Sequence, residues 1–293
     1  MRRKRRIVII AIVAAALLLL TLSALDTRLR VVSYTVSDAR IETPVKIVLI
    51  ADLHSCKYGE GQRELLDAID AQKPDLVLLG GDIFDDDLKN VNTMIVLEYV
   101  AERYLCFYVS GNHEYWHEDP EALFNAVQEL GIPILHGTNE TVTVGRTMLQ
   151  ICGIDDPACA EIDIDESAVD LRKAAREAMT EKQLQSAAAG TDGRYSILLA
   201  HRPELIETYA KYGFDLVLSG HAHGGQVRIP GILNGLFSPG EGWFPKYAGG
   251  EYRVGETTMI VSRGLAREST AAPRIWNRPE LAVIELLPED QNP

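Results

Sequence analysis

Seven side chains with oxygen or nitrogen donors stand at the ends of short apolar runs. Residues 45–51 lead into Asp52-Leu53-His54. Residues 76–79 lead into Gly80-Gly81-Asp82. Residues 105–109 lead into Ser110-Gly111-Asn112-His113-Glu114. Residues 197–200 lead into His201, and residues 216–218 into Ser219-Gly220-His221-Ala222-His223. Two Asp, one Asn and four His form a hard-to-borderline donor set without sulfur, which suits Mn, Fe or Zn. Seven donors are too many for one ordinary site and fit two divalent ions if a carboxylate bridges. The glycines before Asp82, Asn112 and His221 allow tight turns where backbone approaches an ion. A lone His after a strand is commonly a packed or surface residue. Here five of the seven histidines fall at such ends, and His117 and His136 do not.

The runs that deliver these residues have strand length and no polar alternation, as in strands buried on both faces. Residues 31–36 read as a first strand. Helical patterns lie between the runs. Leu65, Leu66 and Ile69 share one face, as do Val91, Ile95 and Val100. Asp119-Pro120 reads as an N-cap followed by Pro at the first helical position, with Gly131 as the stop. Pro203 and Gly213 bracket another helix, and residues 168–188 form a longer polar one. This alternation predicts an α/β sandwich. In open sheets of that kind, ligands bind at the carboxyl ends of the strands. Residues 224–275, rich in Gly and Pro, read as loops with late strands.

The formal charge of -13 conceals an asymmetry. Five basic residues occupy positions 2–6; without residues 1–25 there remain 24 basic against 42 acidic residues, a charge of -18. So acidic a body repels polyphosphate backbones, which excludes non-specific nucleic-acid binding. The four cysteines form no C-x-x-C pair, so a thiolate zinc site is not indicated. Cys152 and Cys159 are close enough to be bridged, but four free or buried thiols are the expectation.

Residues 7–25 are an almost unbroken apolar run behind the basic cluster. Nineteen helical residues span roughly 28 Å, close to the ~30 Å hydrocarbon core. The segment before Asp26 lacks an A-x-A-like cleavage site. The reading is a cytoplasmic basic segment (1–6), a transmembrane signal-anchor (7–25), and a catalytic domain (28–288) on the extracytoplasmic side by the positive-inside rule. A cleaved, secreted form is the alternative.

Taken in order, the motifs resemble the calcineurin-like metallophosphoesterase superfamily, whose pattern is D-x-H, G-D-x-x-D, G-N-H-E, a lone His and G-H-x-H. Here these read Asp52-Leu53-His54, Gly81-Asp82-Ile83-Phe84-Asp85, Gly111-Asn112-His113-Glu114, His201 and Gly220-His221-Ala222-His223. His201-Arg202-Pro203-Glu204, His221 to Val227 and Val261-Ser262-Arg263-Gly264 are similar to a membrane-associated bacterial branch. The resemblance implies a four-layer α/β/β/α sandwich and two divalent metal ions. One ion would take Asp52, His54, Asp82 and His223. The other would take Asp82, Asn112, His201 and His221. It also implies that His113 is the proton donor and that Asp85 orients it. The expected reaction is attack on phosphorus by a hydroxide bridging the ions, with His113 protonating the leaving oxygen.

The protein-phosphatase branch has Arg directly after the second Asp of G-D-x-x-D, whereas this chain has Asp86, then Asp87. An acid there repels a phosphate dianion, so a phosphodiester or pyrophosphate substrate is expected, in membrane lipids or lipid-linked head groups. Asp86 and Asp87 themselves read as a solvated turn. The competing functions are a secreted nucleotidase or cyclic-nucleotide phosphodiesterase, and a non-enzymatic metal-binding scaffold. Arg202, Arg228, Arg263, Arg267 and Arg274 are candidate head-group contacts, each more simply read as solvent-facing. Trp243, Phe244 and Trp276 are candidate interfacial aromatics.

Overall fold

Strands at both ends of the chain close one sheet. In the computed structural model, β1 (Arg30–Asp38) lies parallel to β13 (Glu280–Pro288), and β13 runs antiparallel to β2 (Val45–Ile50). β3 (Leu76–Gly80) and β4 (Leu105–Val109) continue in parallel, giving the order β1-β13-β2-β3-β4. The structure describes residues 2–191, 193–267 and 273–289, so residues 192 and 268–272 of the expected domain lie outside it.

The second sheet has the order β11-β12-β8-β7-β6-β5. Its strands are β5 (Thr138–Val144), β6 (Thr147–Gly153), β7 (Tyr195–Leu199), β8 (Leu216–Ser219), β11 (Gly250–Val254) and β12 (Thr257–Val261). β9 (Phe237–Ser238) and β10 (Gly242–Trp243) form a separate small hairpin.

Side chains of alternate residues separate three cores. Ile47, Leu49, Leu76 and Leu78 meet Ile197, Leu199, Leu216 and Leu218 between the sheets. Val48, Ile50, Val77 and Leu79 face helices α2 (Arg63–Gln72), α3 (Val91–Arg103) and α5 (Pro120–Glu129). Leu198 and Val217 face α6 (Val169–Ala187) and α7 (Ile206–Tyr209). The result is the four-layer α/β/β/α sandwich. Each fully buried Leu or Ile contributes about 1.5–3 kcal/mol through desolvation, which explains why these strands carry no polar alternation.

Two helix expectations need correction. α3 buries Thr93, Val96, Leu97 and Val100, while Val91 stays 67% exposed. Thr93 Oγ1 donates to the Ile83 carbonyl and lies 2.9 Å from Ser55 Oγ, which ties that face to the metal-site loops. The segment between Pro203 and Gly213 is one α-turn, α7, flanked by 3-10 turns. The Asp119 cap holds: its carboxylate accepts the Ala122 N–H at 3.0 Å.

The apolar N-terminal segment is a single helix, α1 (Arg2–Ala24), long and apolar enough over Arg3–Ala24 to cross a membrane. Almost none of it is buried. Its end is stitched to the body, since the Trp276 N–H donates to the Ala24 carbonyl at 2.8 Å. All four cysteines are free thiols.

Candidate metal centre

Every apolar run named above ends at one cleft. Asp52 and His54 follow β2, Asp82 follows β3, and Asn112 opens the short helix α4 (Asn112–Trp116) after β4. His201 follows β7, and His221 and His223 follow β8. All seven are at most 6% exposed. The turns that bring them together are strained. Asp52, His54, Asp82, His221 and His223 all have φ between 47° and 64°, a region non-glycine residues rarely enter. Such strain persists only where surrounding contacts over-determine it. Here the loops hold one another: the Asp52 N–H donates to the Gly81 carbonyl and the His54 N–H to the Asp82 carbonyl, both at 3.0 Å. Asp52 Oδ1 accepts the His221 N–H at 2.8 Å. Gly111 is required by close approach, because a Cβ there would sit 2.1 Å from Asp82 Oδ1.

What the donors do not touch is as informative as what they touch. Among the described residues, Asp52 Oδ2, Asn112 Oδ1, His221 Nε2 and His223 Nδ1 are buried without a hydrogen-bond partner, while Asp82 Oδ2 and His201 Nε2 lie 3.1 Å apart as an ion pair. His54 Nε2 faces His223 Nε2 at 3.3 Å, a contact whose donor is set by the tautomers of the two rings. Leaving a buried polar atom unpaired costs about 1–3 kcal/mol, so this cluster is organised around something that satisfies it. Ligand atoms of Asp52, His54, Asp82 and His223 lie within 4.8 Å of one another, as do those of Asp82, His201 and His221. The two groups share Asp82. The residues present therefore fit a pair of divalent cations.

Second contacts set the tautomers. His201 Nδ1 lies 2.8 Å from the Gly80 carbonyl, which fixes the proton there and leaves Nε2 as an electron-pair donor. Burial, and then the positive charges of Arg202 and His201, hold His221 well below the ordinary imidazole range. Burial and His54 do the same to His223. Both are neutral, as a ligand must be. For His201, burial is outweighed by Asp82 and Asp52, which push it up to about 10, so a cation binding at Nε2 must displace a proton held there by those carboxylates.

One expected pairing is corrected. Asp85 does not hold His113. Its Oδ1 accepts the Asp87 and Leu88 N–H groups, and its Oδ2 lies 3.1 Å from His54 Nδ1. Its acceptors are spent on the turn and on His54. His113 Nδ1 instead lies 2.5 Å from Asp86 Oδ1. Asp86 is therefore no mere solvated turn residue, although Asp87 is exposed. His113 sits at the rim, 22% exposed at its side chain, with its ring 4.3 Å from that of His54 and 5.0 Å from that of Trp116.

Glu114 has a role that the sequence reading left unassigned. Its buried carboxylate accepts the N–H groups of Asp82, Ile83, Phe84 and Gly111 and the Tyr108 hydroxyl, at 2.7–3.1 Å. One side chain thus fixes the strained Asp82 turn against the Asn112 turn. Its place two residues after Asn112 in the motif was the available signal.

The arginines divide. Arg202 pairs with Asp156 at 2.7 Å, and Arg274 is 3% exposed and donates to the Ala266, Arg263 and Gly264 carbonyls. Neither is solvent-facing. Arg267 stacks over Tyr58. Arg228 and Arg263 line a separate cavity. Trp243 and Phe244 are 69% and 68% exposed.

Residues 45–225 match the calcineurin-like phosphoesterase family. An uncharacterized metallophosphoesterase of Helicobacter pylori is 28% identical over 256 residues, 86% of this chain and 62% of its own. Phosphodiesterase YaeI of Escherichia coli is 28% identical over 251 residues, 83% of each chain. A transmembrane protein with metallophosphoesterase domain from Danio rerio is 28% identical over 250 residues, 83% of this chain and 53% of its own. The chain thus spans roughly half to two-thirds of the length of the first and third of these relatives. On the match over residues 45–225, the chain belongs to the calcineurin-like metallophosphoesterase family.

Proposed function

We propose that this protein is a membrane-anchored hydrolase of phosphodiester or pyrophosphate bonds, acting on membrane lipids or lipid-linked head groups. The observation that carries the reading is the convergence of buried carboxylate, amide and imidazole donors around Asp82, four of them with unpartnered atoms among the described residues. Asp52, His54, Asp82 and His223 would hold one divalent cation, and Asp82, Asn112, His201 and His221 the other. When bound, the pair supplies Lewis acidity toward phosphoryl oxygens and lowers the pKa of water.

The chain's own groups do the rest. The shared Asp82 carboxylate offsets repulsion between two cations. His113, anchored at Nδ1 by Asp86, has Nε2 free to protonate the leaving oxygen. Asp85 keeps the His54 ring turned with Nε2 toward the centre. With Asp86 and Asp87 beside His113, the rim favours a singly charged phosphodiester over a dianionic monoester.

The lipid reading rests on the short tether. The helix ends at Ala24 and β1 begins at Arg30. Even extended, five intervening residues reach about 15–20 Å, so the cleft is confined near the bilayer, on the extracytoplasmic side by the charge of residues 2–6. The relative named as a phosphodiesterase supports the bond type. The experiment is a hydrolysis panel with the full-length protein in lipid bilayers supplied with Mn²⁺, Fe²⁺ or Zn²⁺. Cleavage of phospholipids or lipid-linked pyrophosphates is the expected result. Efficient turnover of soluble nucleotides alone, with every lipid left intact, would refute the lipid assignment.

A further inference from the structure

A cavity of about 560 Å³ opens at the foot of α1, lined by Arg30, Arg228 and Arg263 together with Ile229, Ile232 and Trp276. None of the residues of the metal centre lines it. Trp276 is the residue whose N–H caps the helix end at Ala24. Arg30 opens β1, immediately after the tether. The cavity therefore lies where a bilayer surface must lie if α1 spans the membrane.

Three guanidinium groups face one carboxylate. Arg263 Nε and Glu280 Oε2 lie 3.2 Å apart as a buried ion pair, and among the described residues neither atom has a hydrogen bond besides. The other Glu280 oxygen is taken by the Tyr34 hydroxyl at 2.8 Å. Arg228 is held by the Asn234 amide oxygen and the Gly224 carbonyl, which orient it without neutralising it. The exposed Arg30 side chain has no hydrogen bond or ion pair among the described residues. Burial, with Arg263 next in size, pushes Arg228 down to about 10. Three guanidinium groups thus share a single carboxylate and keep an excess of positive charge. Guanidinium forks match phosphate oxygens bidentately, so a phosphate is the natural counter-charge.

The rim specifies the source of that phosphate. Residues 229–233 form a tight turn, with the Leu233 N–H donating to the Ile229 carbonyl at 2.8 Å, and Ile232 projects from it 84% exposed. Phe237, Trp243 and Phe244 are exposed in the hairpin that follows. An aliphatic tip and aromatic rings beside an arginine cluster suit the interface between head groups and acyl chains, not water. We propose that the Arg30–Arg228–Arg263 cavity is a second site, outside the metal centre, that binds the phosphate of an anionic phospholipid head group. It docks an acidic body on the bilayer by local positive charge, and it does not depend on which substrate the metal centre cleaves.

The test is lipid retention measured by native mass spectrometry on the full-length, Mn²⁺-loaded protein in detergent micelles. The probes are dioleoyl phosphatidylglycerol and dioleoyl phosphatidylcholine. The wild-type protein should retain one phosphatidylglycerol in preference to phosphatidylcholine. Arg30→Glu and Arg228→Gln should each weaken that retention about tenfold, whereas Asp82→Asn should not. Arg30 is exposed and has no hydrogen bond or ion pair among the described residues, so its variant keeps the fold even if Arg228→Gln does not. Equal retention of both lipids, or undiminished retention in Arg30→Glu, overturns the proposal. So does loss of lipid in Asp82→Asn, which would place it at the metal centre. Complete displacement by millimolar inorganic phosphate would also overturn it, since the site would then recognise free phosphate.

Discussion

His113 Nδ1 lies 2.5 Å from Asp86 Oδ1, while the preceding acid, Asp85, reaches His54. Adjacent carboxylates in one turn thus serve different rings. The mutational consequences separate. His113→Asn should keep both metals and lose roughly 10²–10⁴ in rate. Asp86→Asn should lose less, about tenfold, because it only orients and stabilises the ring. Both losses should shrink with a nitrophenol leaving group, which needs little protonation. Asp85→Asn should instead lower metal content through His54. Steady-state rates on good and poor leaving groups, with metal analysis, distinguish them. If Asp85→Asn copied His113→Asn with full metal content, the split would be wrong.

Asp82 belongs to both donor groups, and Asp82→Asn should empty both together. Removing one negative charge between two cations a few ångströms apart restores their repulsion. Metal analysis should find far less than two ions per chain, and diester hydrolysis should nearly vanish. Chelation of the wild-type protein should have the same effect, reversed by adding Mn²⁺ or Zn²⁺. A variant with two ions and normal turnover would refute the bridging role.

Glu114 accepts from four backbone N–H groups and one hydroxyl without being a ligand itself. Glu114→Gln would turn an amide NH₂ against those donors and remove the charge they solvate. Hydrogen bonds to a charged group contribute about 1.5–3 kcal/mol each, so a loss of about 3 kcal/mol or more is expected. Thermal unfolding with chelator present should show it, and metal affinity should fall as well. A melting temperature equal to that of the wild type would remove Glu114 from this role.

The donors were legible because strands buried on both faces leave polar residues only at their ends, as with His201 after β7. The α/β sandwich followed from the same alternation of apolar runs and helices, whereas its four layers were implied only by the family resemblance. Other features were hidden by distance along the chain. β13 pairs with β1 across some 250 positions, and its run, Leu281 to Leu287, has no local signal for that place. The Glu114 clamp works through backbone N–H groups of two other segments, which a sequence does not display. The Asp85–Asp86 exchange turns on which carboxylate a tight turn consumes for its own N–H groups. The arginine cavity joins positions 30, 228 and 263, which are adjacent only after folding.

His136 lay outside the strand-end pattern, and it forms an ion pair away from the ligands. Its Nδ1 lies 2.8 and 3.0 Å from the two oxygens of Asp155. Asp155 is 5% exposed and also accepts from Ser110, Tyr115 and Gln183. The hydrogen bond that His136 donates to Asp155 raises the imidazole above its ordinary value, with burial opposing. Burial is likewise outweighed for Asp155, which His136 and its other donors hold below the usual carboxylate value. The raised imidazole stabilises the fold fully below about pH 6.5, and that contribution is lost as pH rises through its folded value. The depressed carboxylate contributes above about pH 4 and loses its effect as pH falls through its folded value. The pair is therefore worth most in the mildly acidic range and fades toward alkaline pH. With the imidazole 41% exposed at its side chain, the pair is worth at most about 1 kcal/mol, or roughly 2 °C in melting temperature. Comparing His136→Gln with wild type in detergent and chelator, the gap should be widest in mildly acidic buffer and close in alkaline buffer. A gap that stays constant or widens as pH rises would show that His136 supports the fold by packing against Phe124 and not by charge.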